Sequence, residues 1–300
     1  MTKNGVEQQP SETALLTALR RAIAHKEFSN QRFGPDYLAE YFLPGHFRFF
    51  LRFSRALTGI KKRLDHFLPG LTEYMIARTL YFDRLFTTAL NDKVPQIVLL
   101  GAGYDSRAYR FANANQRTRI FELDIAPTQN RKKKYLKKAK IHIPPEVRFI
   151  SIDFNREALG KVLEKAGYRH DRKTLFLWEG VTYYLDPESV DTTLAFISSS
   201  QQPESAIAFD YTIPVTQDNI GDYYGVKEFI QVMEVHHASE KLVFSIEEEQ
   251  LAAFLAQQGL KLIEHLDNQE IEKTYLTEGS MFVGQMTGHF RFALASIKKV

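Results

Sequence analysis

Two glycines and a set of acidic residues are the positions best suited to ligand binding. Gly101-Ala-Gly103 follows directly on an unbroken apolar run at residues 97–100. Such a run is typical of a buried parallel strand. Glycines at its carboxyl end let the chain turn sharply and let a ligand approach the backbone, and the next helix directs its N–H groups at that ligand. The pattern predicts the first turn of a nucleotide-type α/β sheet.

An acidic residue stands at the end of each of the next four predicted strands. These residues are Asp124, Asp153, Glu179 and Asp210. Asp124 lies 21 positions after Gly103, the spacing at which a carboxylate accepts hydrogen bonds from ribose hydroxyls. Asp153 and Phe154 could hold an adenine, and Glu179 reaches toward the centre of the site. Because the carboxyl ends of parallel strands share one edge, we predict an adenosine cofactor there.

Several other classes of site are excluded by the sequence. Ser106 stands where a dinucleotide-binding motif needs its third glycine, and no phosphate-binding Gly-x-x-x-x-Gly-Lys-Ser/Thr sequence occurs. The absence of cysteine excludes disulfides, a thiolate nucleophile and Cys-ligated zinc. His236 and His237 are adjacent and cannot share a helix face, so no metal site is predicted.

The elements that position these residues alternate after a helical beginning. We predict a helical N-terminal cap at residues 1–90, with residues 1–12 disordered and Thr72 capping its last helix. Residues 91–300 are predicted to form the second domain, an α/β fold with helices on both faces of a seven-stranded, mostly parallel sheet and an antiparallel last strand. An insertion at residues 213–245 covers its active site, and residues 268–288 form a hairpin connection. The predicted strands are residues 97–100, 118–123, 147–152, 175–178, 206–209, 260–266 and 290–297; later helices are expected at 156–166, 187–199 and 246–258.

Four sequence blocks then resemble one family. Residues 99–110, Leu-Leu-Gly-Ala-Gly-Tyr-Asp-Ser-Arg-Ala-Tyr-Arg, resemble the signature of the leucine carboxyl methyltransferase family, which includes bacterial O-methyltransferases of polyketide pathways. Residues 77–83, 121–127 and 178–185 are similar to three further blocks of that family in the same order. The resemblance spans about residues 30–265. It implies a class I methyltransferase (Rossmann-like) fold and S-adenosyl-L-methionine as the cofactor.

The resemblance also implies a role for each matching residue. Arg78 would pair with the methionine carboxylate of the cofactor, which suits the planar guanidinium. Gly101 and Gly103 would contact its methionine and ribose parts, and Glu179 would approach its amino group or sulfonium. The ribose and adenine roles are those already inferred above for Asp124, Asp153 and Phe154.

The methyl acceptor stays open at this point. Ser106, Trp178 and Tyr183 depart from the residues usual in the family. A carboxylate acceptor is already ionised at pH 7 and needs no base, whereas a phenol would benefit from one. Candidates on the substrate side are Tyr184, Arg48 or Arg52, and the histidines His46, His236 and His237.

The leading hypothesis is an O-methyltransferase that acts on a carboxylate or hydroxyl of a small, polyketide-like molecule. The alternatives are a protein C-terminal carboxyl methyltransferase and a non-catalytic binding module of the same fold. The basic run at residues 131–140 is either a solvated helix face or a site for an acidic carrier protein or nucleic acid. We expect a cytoplasmic monomer or homodimer that binds neither nucleic acid nor membrane.

Overall fold

The computed structural model describes residues 11–28, 31–154, 156–199, 202–236 and 242–297, with the backbone alone at 235–236. Residues 1–10 of the segment predicted to be disordered lie outside these ranges, as does His237. The prediction of disorder is wrong for Glu12, which begins the first helix. No helix in the described part of the chain is both long and apolar enough to cross a bilayer.

Helices alone precede the first strand, as predicted. They are α1 (Glu12–Phe28), a 3-10 turn (Ala39–Phe42), α2 (Gly45–Phe50), α3 (Ser54–Phe67) and α4 (Leu71–Asn91). The prediction that Thr72 caps the last of these helices is wrong. The cap position is Gly70, whose φ of 74° favours glycine. The Thr72 hydroxyl instead accepts a hydrogen bond from Arg20 at 2.6 Å and donates one to Asp65 at 3.0 Å.

The seven-stranded sheet confirms the predicted architecture. Its strands are β1 (Gln96–Leu100), β2 (Arg119–Asp124), β3 (Val147–Ser151), β4 (Thr174–Trp178), β5 (Ala206–Thr212), β6 (Leu260–Leu266) and β9 (Phe290–Ile297). The spatial order is β3-β2-β1-β4-β5-β9-β6. Strands β1 to β5 are parallel, and β9 runs antiparallel to both β5 and β6. The order reverses between β1 and β4, which is the point where α/β sheets of this kind bind ligands.

Strand β1 shows why the sheet is covered on both faces. All five of its residues are buried. Ile97 and Leu99 belong to one apolar core together with residues of α1 and α4, whereas Val98 and Leu100 belong to the other. Successive side chains of a strand point to opposite faces, so an unbroken apolar run requires a layer of helices on each side.

The remaining helices fill these two layers. They are α5 (Arg107–Arg110), α6 (Ala126–Lys138), α7 (Leu159–Lys165), α8 (Pro187–Ser198), α9 (Val226–His236), α10 (Leu251–Gln257) and α11 (Asn268–Tyr275). Helix α7 begins three residues later than predicted. The helix predicted from residue 246 begins only at Leu251, because a 3-10 turn (Glu248–Gln250) precedes it. The predicted hairpin connection at 268–288 is wrong in its first part, which forms α11. The Asp267 and Glu270 side chains form a capping box at the start of this helix. A short ribbon, β7 (Thr277–Glu278) with β8 (Met281–Phe282), follows it.

Candidate functional site

The turn after β1 can be built only with glycine at its first position. Gly101 has a φ of 70° and Gly103 a φ of 42°. A Cβ atom on Gly101 would lie 2.4 Å from Cγ2 of Val181, which is far inside van der Waals contact. The backbone N–H of Ala102 donates to the carbonyl of Leu123 at 2.7 Å and so ties the turn to β2.

Asp124 holds this turn in place from the end of β2. Its Oδ2 accepts a hydrogen bond from the Gly103 N–H at 2.6 Å, and its Oδ1 accepts one from the Ile125 N–H at 2.7 Å. Burial raises the pKa of this carboxyl, and the two backbone N–H groups partly offset that rise. A carboxylate offers about four acceptor positions. Asp124 can therefore accept further hydrogen bonds, as its predicted ribose role requires.

Arg78 reaches the same edge of the sheet from helix α4. Its Nε lies 3.0 Å from Oε1 of Glu179, and its Nη1 lies 3.3 Å from Oδ2 of Asp210. Burial lowers the pKa of Arg78, but the surrounding tyrosines and carboxylates outweigh burial and raise it. A Cβ atom on Gly180 would lie 2.9 Å from Arg78 Nη1, so this glycine gives the guanidinium its room.

Asp210 lies inside a strand and not at the strand end predicted for it, since β5 continues to Thr212. Its carboxylate is fully buried. Oδ1 accepts from the Gly180 N–H at 2.6 Å, while Oδ2 accepts a short hydrogen bond from the Tyr74 hydroxyl. Burial raises the pKa of this carboxyl, and Arg78 counteracts the rise.

Glu179 and Arg78 belong to a chain of ion pairs that we call the buried ion network. Arg107 is its centre: Nη1 lies 2.7 Å from Oε2 of Glu179, and Nε donates to Oδ1 of Asp83 at 2.9 Å. Nη1 of Arg107 also contacts Asp105, whose pKa it lowers against the opposing effect of burial. The network thus joins α4 to the glycine turn and to the end of β4.

The network continues from Asp83 toward helix α1. Arg110 donates from Nη1 and Nη2 to the two oxygens of Asp83, each at 2.7 Å. Its Nε lies 3.5 Å from Oδ1 of Asp36, and Arg21 of α1 lies 3.4 Å from the other oxygen of that carboxylate. Burial raises the pKa of Asp36, but Arg110 and Arg21 lower it further than burial raises it.

Three buried donors of this network have no hydrogen-bond acceptor among the described residues, and one of them is Nε of Arg21. The other two belong to arginines paired with Glu179. They are Nη2 of Arg107 and Nε of Arg78, the second of which approaches Glu179 without the alignment of a hydrogen bond. A buried N–H group without an acceptor costs about 1–3 kcal/mol. An anionic ligand group at the glycine turn would supply the acceptor, so these residues fit the carboxylate of an amino acid moiety.

The two residues predicted to hold adenine lie directly after β3. The Ile152 N–H donates to the Asp124 carbonyl at 3.1 Å, which places Asp153 beside the end of β2. Asp153 forms an ion pair with Arg156 at 3.3 Å. Phe154 is partly buried against the apolar core on the α7 side. Both residues therefore lie at the predicted edge.

The substrate-side candidates differ in their distance from the buried ion network. Tyr184 packs edge-on against Tyr183, with ring centroids 4.7 Å apart. The Arg48 guanidinium lies 4.7 Å from the ring of Tyr41. Within the described part of the chain, no hydrogen bond or ion pair joins Arg48 to a residue at the strand ends. Tyr183 is nearer to the network, since its hydroxyl lies 3.3 Å from Arg78 Nη1.

Comparison with known families identifies this arrangement. The sequence profile described as "Leucine carboxyl methyltransferase" matches residues 14–198, more than half of the chain. The chain belongs to the leucine carboxyl methyltransferase family. The predicted family is therefore confirmed, and with it the cofactor of that family, S-adenosyl-L-methionine.

Individual relatives agree with this membership of the leucine carboxyl methyltransferase family. "Putative S-adenosyl-L-methionine-dependent methyltransferase YktD" of Bacillus subtilis is 28% identical over 202 residues, covering 67% of this chain and 66% of its own length. A protein of Mycobacteroides abscessus with the same general name is 34% identical over 156 residues, half of each chain. The chain thus spans about half to two thirds of the length of these relatives.

Solved structures match the fold over more of the chain. A "putative methyltransferase" from Thermobifida fusca covers 82% of this chain and 90% of its own, with a TM-score of 0.56 and 14% identity. A DUF574 family protein from Streptomyces avermitilis covers 81% and 91%, with a TM-score of 0.58 and 13% identity. These matches confirm the class I methyltransferase fold.

The sequence analysis does not predict most of the acidic residues of the buried ion network as site residues. Asp36 lies outside the four blocks that resemble the family, and Asp83 is only the last residue of one of them. Arg107 and Arg110 lie three residues apart directly after Asp105, and this spacing places both arginines on one side of a helical turn. Three charged residues beside a buried glycine turn were the available signal.

Proposed function

We propose that this chain is an S-adenosyl-L-methionine-dependent O-methyltransferase whose acceptor is the carboxylate of a small, polyketide-like molecule. The observation that carries the proposal is the convergence of Arg78, Glu179 and Asp124 at the glycine turn. The carboxyl ends of β2 and β4 bring Asp124 and Glu179 to the turn after β1, and helix α4 brings Arg78 to Glu179 from a distant part of the sequence.

The charge balance of the buried ion network favours a cationic cofactor. It contains four arginines and five carboxylates: Arg21, Arg78, Arg107 and Arg110, with Asp36, Asp83, Asp105, Glu179 and Asp210. With all of them ionised, one negative charge is in excess. S-adenosylmethionine carries a sulfonium, an ammonium and one carboxylate, so its net charge complements that excess.

Each residue of the site has a proposed task. Arg78 would bind the methionine carboxylate, and Glu179 the amino group. Asp124 would accept the ribose hydroxyls, while Asp153 and Phe154 would lie along the adenine. Gly101 and Gly103 would let the methionine and ribose parts lie against bare backbone. When bound, the cofactor would supply an electrophilic methyl group on its sulfonium. Transfer of that methyl group would convert the sulfonium into a neutral thioether.

The groups around the network favour an acceptor that is already ionised. The Tyr183 hydroxyl has its pKa raised well above the usual range, mainly by burial. His289, which packs against Phe290 of this region, has its pKa lowered to about 3 by burial and by Arg291. Neither group is a base matched to a phenol at pH 7. A carboxylate needs no proton removal, and its alignment with the methyl group would provide most of the catalysis.

A labelling experiment distinguishes the acceptor classes. The protein is incubated with methyl-labelled S-adenosylmethionine and separate pools of carboxylic acids, phenols and proteins with free C-termini. We expect labelled product from the small carboxylic acids, and mild alkali should release its label as volatile methanol, as a methyl ester requires.

Other outcomes of that experiment would point elsewhere. An alkali-stable product from the phenol pool would contradict the carboxylate acceptor. Label that migrates with the added protein would favour the C-terminal carboxyl methyltransferase alternative. Cofactor binding without transfer to any pool would favour the non-catalytic module. An acidic carrier protein as partner, the monomer or homodimer state and a cytoplasmic location stay predictions.

A further inference from the structure

A cleft of about 410 Å³ lies at the opposite edge of the sheet from the glycine turn. Its lining includes Gln96 and Arg119, the first residues of β1 and β2. A strand rises about 3.3 Å per residue, so the five residues of β1 separate this cleft from the glycine turn by roughly 16 Å. It is therefore distinct from the candidate methyltransferase site.

The cleft concentrates positive charge with little compensation. Five exposed cations line it: Lys93, Arg117, Arg119, Arg169 and Arg172. Of these, Arg169 forms an ion pair with Asp171 at 2.7 Å. Within the described ranges, no ion pair is formed by the other four. A cleft lined by one sign of charge focuses its field and attracts ligands of opposite charge.

One of these cations stands at a backbone position that favours glycine. Lys93 has a φ of 54° at the end of α4. The Val94 N–H donates to the Ala89 carbonyl at 2.9 Å and the Lys93 N–H to the Leu90 carbonyl at 3.0 Å, which together form a Schellman motif. Residues with a side chain are unfavourable in this left-handed conformation. A lysine here is less favourable for folding than glycine, and its ammonium adds to the positive charge of the cleft.

Two side-chain amides, those of Gln96 and Asn115, fix the loops that carry the cations. The Gln96 amide donates to the Arg169 carbonyl and accepts from the Arg169 N–H, both at 2.9 Å. The Asn115 amide makes the same paired contact with the backbone of Thr118, again at 2.9 Å for each bond. These bonds hold the two cationic loops in place, so a ligand would meet a largely preformed site.

We propose that this cleft binds a small molecule with at least two phosphate groups beside an apolar part. Guanidinium groups bind phosphate in a bidentate manner, and three arginines beyond the paired Arg169 are present. Leu90 and Pro95 provide an apolar part of the lining. The volume lies within the range of about 300–1,000 Å³ typical of small-molecule sites. A concave site of this size suits a compact phosphorylated molecule better than an extended polynucleotide.

Calorimetry with two probes tests the proposal. Tripolyphosphate supplies the charge alone, and ADP adds an apolar base; saturating S-adenosylhomocysteine keeps ADP from the adenosine site. We expect both probes to bind at low salt and to bind more weakly as the salt concentration rises. The binding free energy per phosphate group should be larger for ADP than for tripolyphosphate. R117A/R172A should weaken binding at least tenfold. The matched control R55A/R63A, which removes two exposed arginines of α3, should change it less than twofold.

A second variant separates charge from folding. Lys93→Gly removes one cation and relieves the unfavourable φ, so it should weaken tripolyphosphate binding severalfold without lowering the melting temperature. The proposal is overturned if wild-type protein binds neither probe, or if the control variant loses as much affinity as R117A/R172A. Binding of a 20-nucleotide RNA without binding of tripolyphosphate would also overturn it.

Discussion

Arg107 shows how a single side chain can position a binding site. It is almost fully buried and contacts Asp83, Asp105 and Glu179. These contacts fix Glu179 beside Arg78 before any ligand arrives. Because the guanidinium is planar and always charged, it can hold three carboxylates in a defined geometry. The family motif around residue 107 therefore has a structural role, because it fixes carboxylates at the edge of the sheet where we propose that the cofactor binds.

His289 gives a prediction about pH. Its side chain is fully buried, and its pKa is lowered from 6.5 to about 3. The unfolded chain therefore binds more protons between these two pH values, and folding stability falls as pH decreases through this window. Between pH 7 and pH 5 the loss due to His289 should be about 2 kcal/mol.

Urea unfolding at the two pH values measures this effect. His289→Gln removes the titrating group, so the variant should lose about 2 kcal/mol less than wild type on the same pH change. Comparing the variant with wild type cancels the stability change that comes from other titrating groups. Equal losses in the two proteins would show that His289 is protonated as easily in the folded state as in the unfolded one.

Helix α4 connects the part of the site around Asp210 with the part around Arg107 and Arg110. Tyr74 and Arg78 are four residues apart and so lie on one face, where both contact Asp210. Asp83 follows one and a half turns later and meets Arg107 and Arg110. One helix thus holds the strand edge and the glycine turn together.

Asp83→Asn tests the contribution of this helix to stability. It leaves two buried arginines without a carboxylate they share, and breaking a buried ion pair in this way costs about 3–5 kcal/mol. We expect a loss of that size in urea unfolding. The control Asp171→Asn removes the carboxylate of an exposed ion pair with Arg169. It should leave the urea midpoint of unfolding nearly unchanged. A small effect of Asp83→Asn would mean that the network adds little to stability.

The strands could be predicted from sequence better than the connections between them. The unbroken apolar run of β1 and the glycines after it report burial and a turn, which are local properties. The helix α11 was missed because its short amphipathic pattern follows a strand and precedes another with no glycine or proline boundary. Strand β5 continues past its predicted end at residue 209. Arg78, Tyr74 and Gly180 make the burial of Asp210 inside the strand possible, and the local sequence does not reveal these partners.

The site was predicted only in part for a similar reason. Asp124 and Arg78 are marked by spacing and by family resemblance. The arginine partners of Asp36 and Asp83 lie between 15 residues (Arg21 and Asp36) and 74 residues (Arg110 and Asp36) away in sequence, and no spacing rule connects such residues. Their pairing depends on how the helices α1 and α4 pack on the sheet, which only the folded structure shows.

At the scale of the whole molecule, the two edges of the sheet differ in charge. The edge at the glycine turn pairs its arginines with buried carboxylates, whereas the opposite edge leaves its cations exposed. The predicted division at residues 90 and 91 stays a prediction. The helices α1 and α4 share one apolar core with strand residues such as Ile97 and Leu99, so we expect the two parts to unfold together.

The most direct test of the account is the affinity for S-adenosylhomocysteine, measured by calorimetry on wild type, Asp124→Ala and R117A/R172A. We predict that wild type binds, that Asp124→Ala weakens binding by about 1–3 kcal/mol through lost charge-assisted hydrogen bonds, and that R117A/R172A binds as wild type does. Absence of binding to wild type, or unchanged affinity in Asp124→Ala, would contradict the assignment of the glycine-turn edge as the cofactor site.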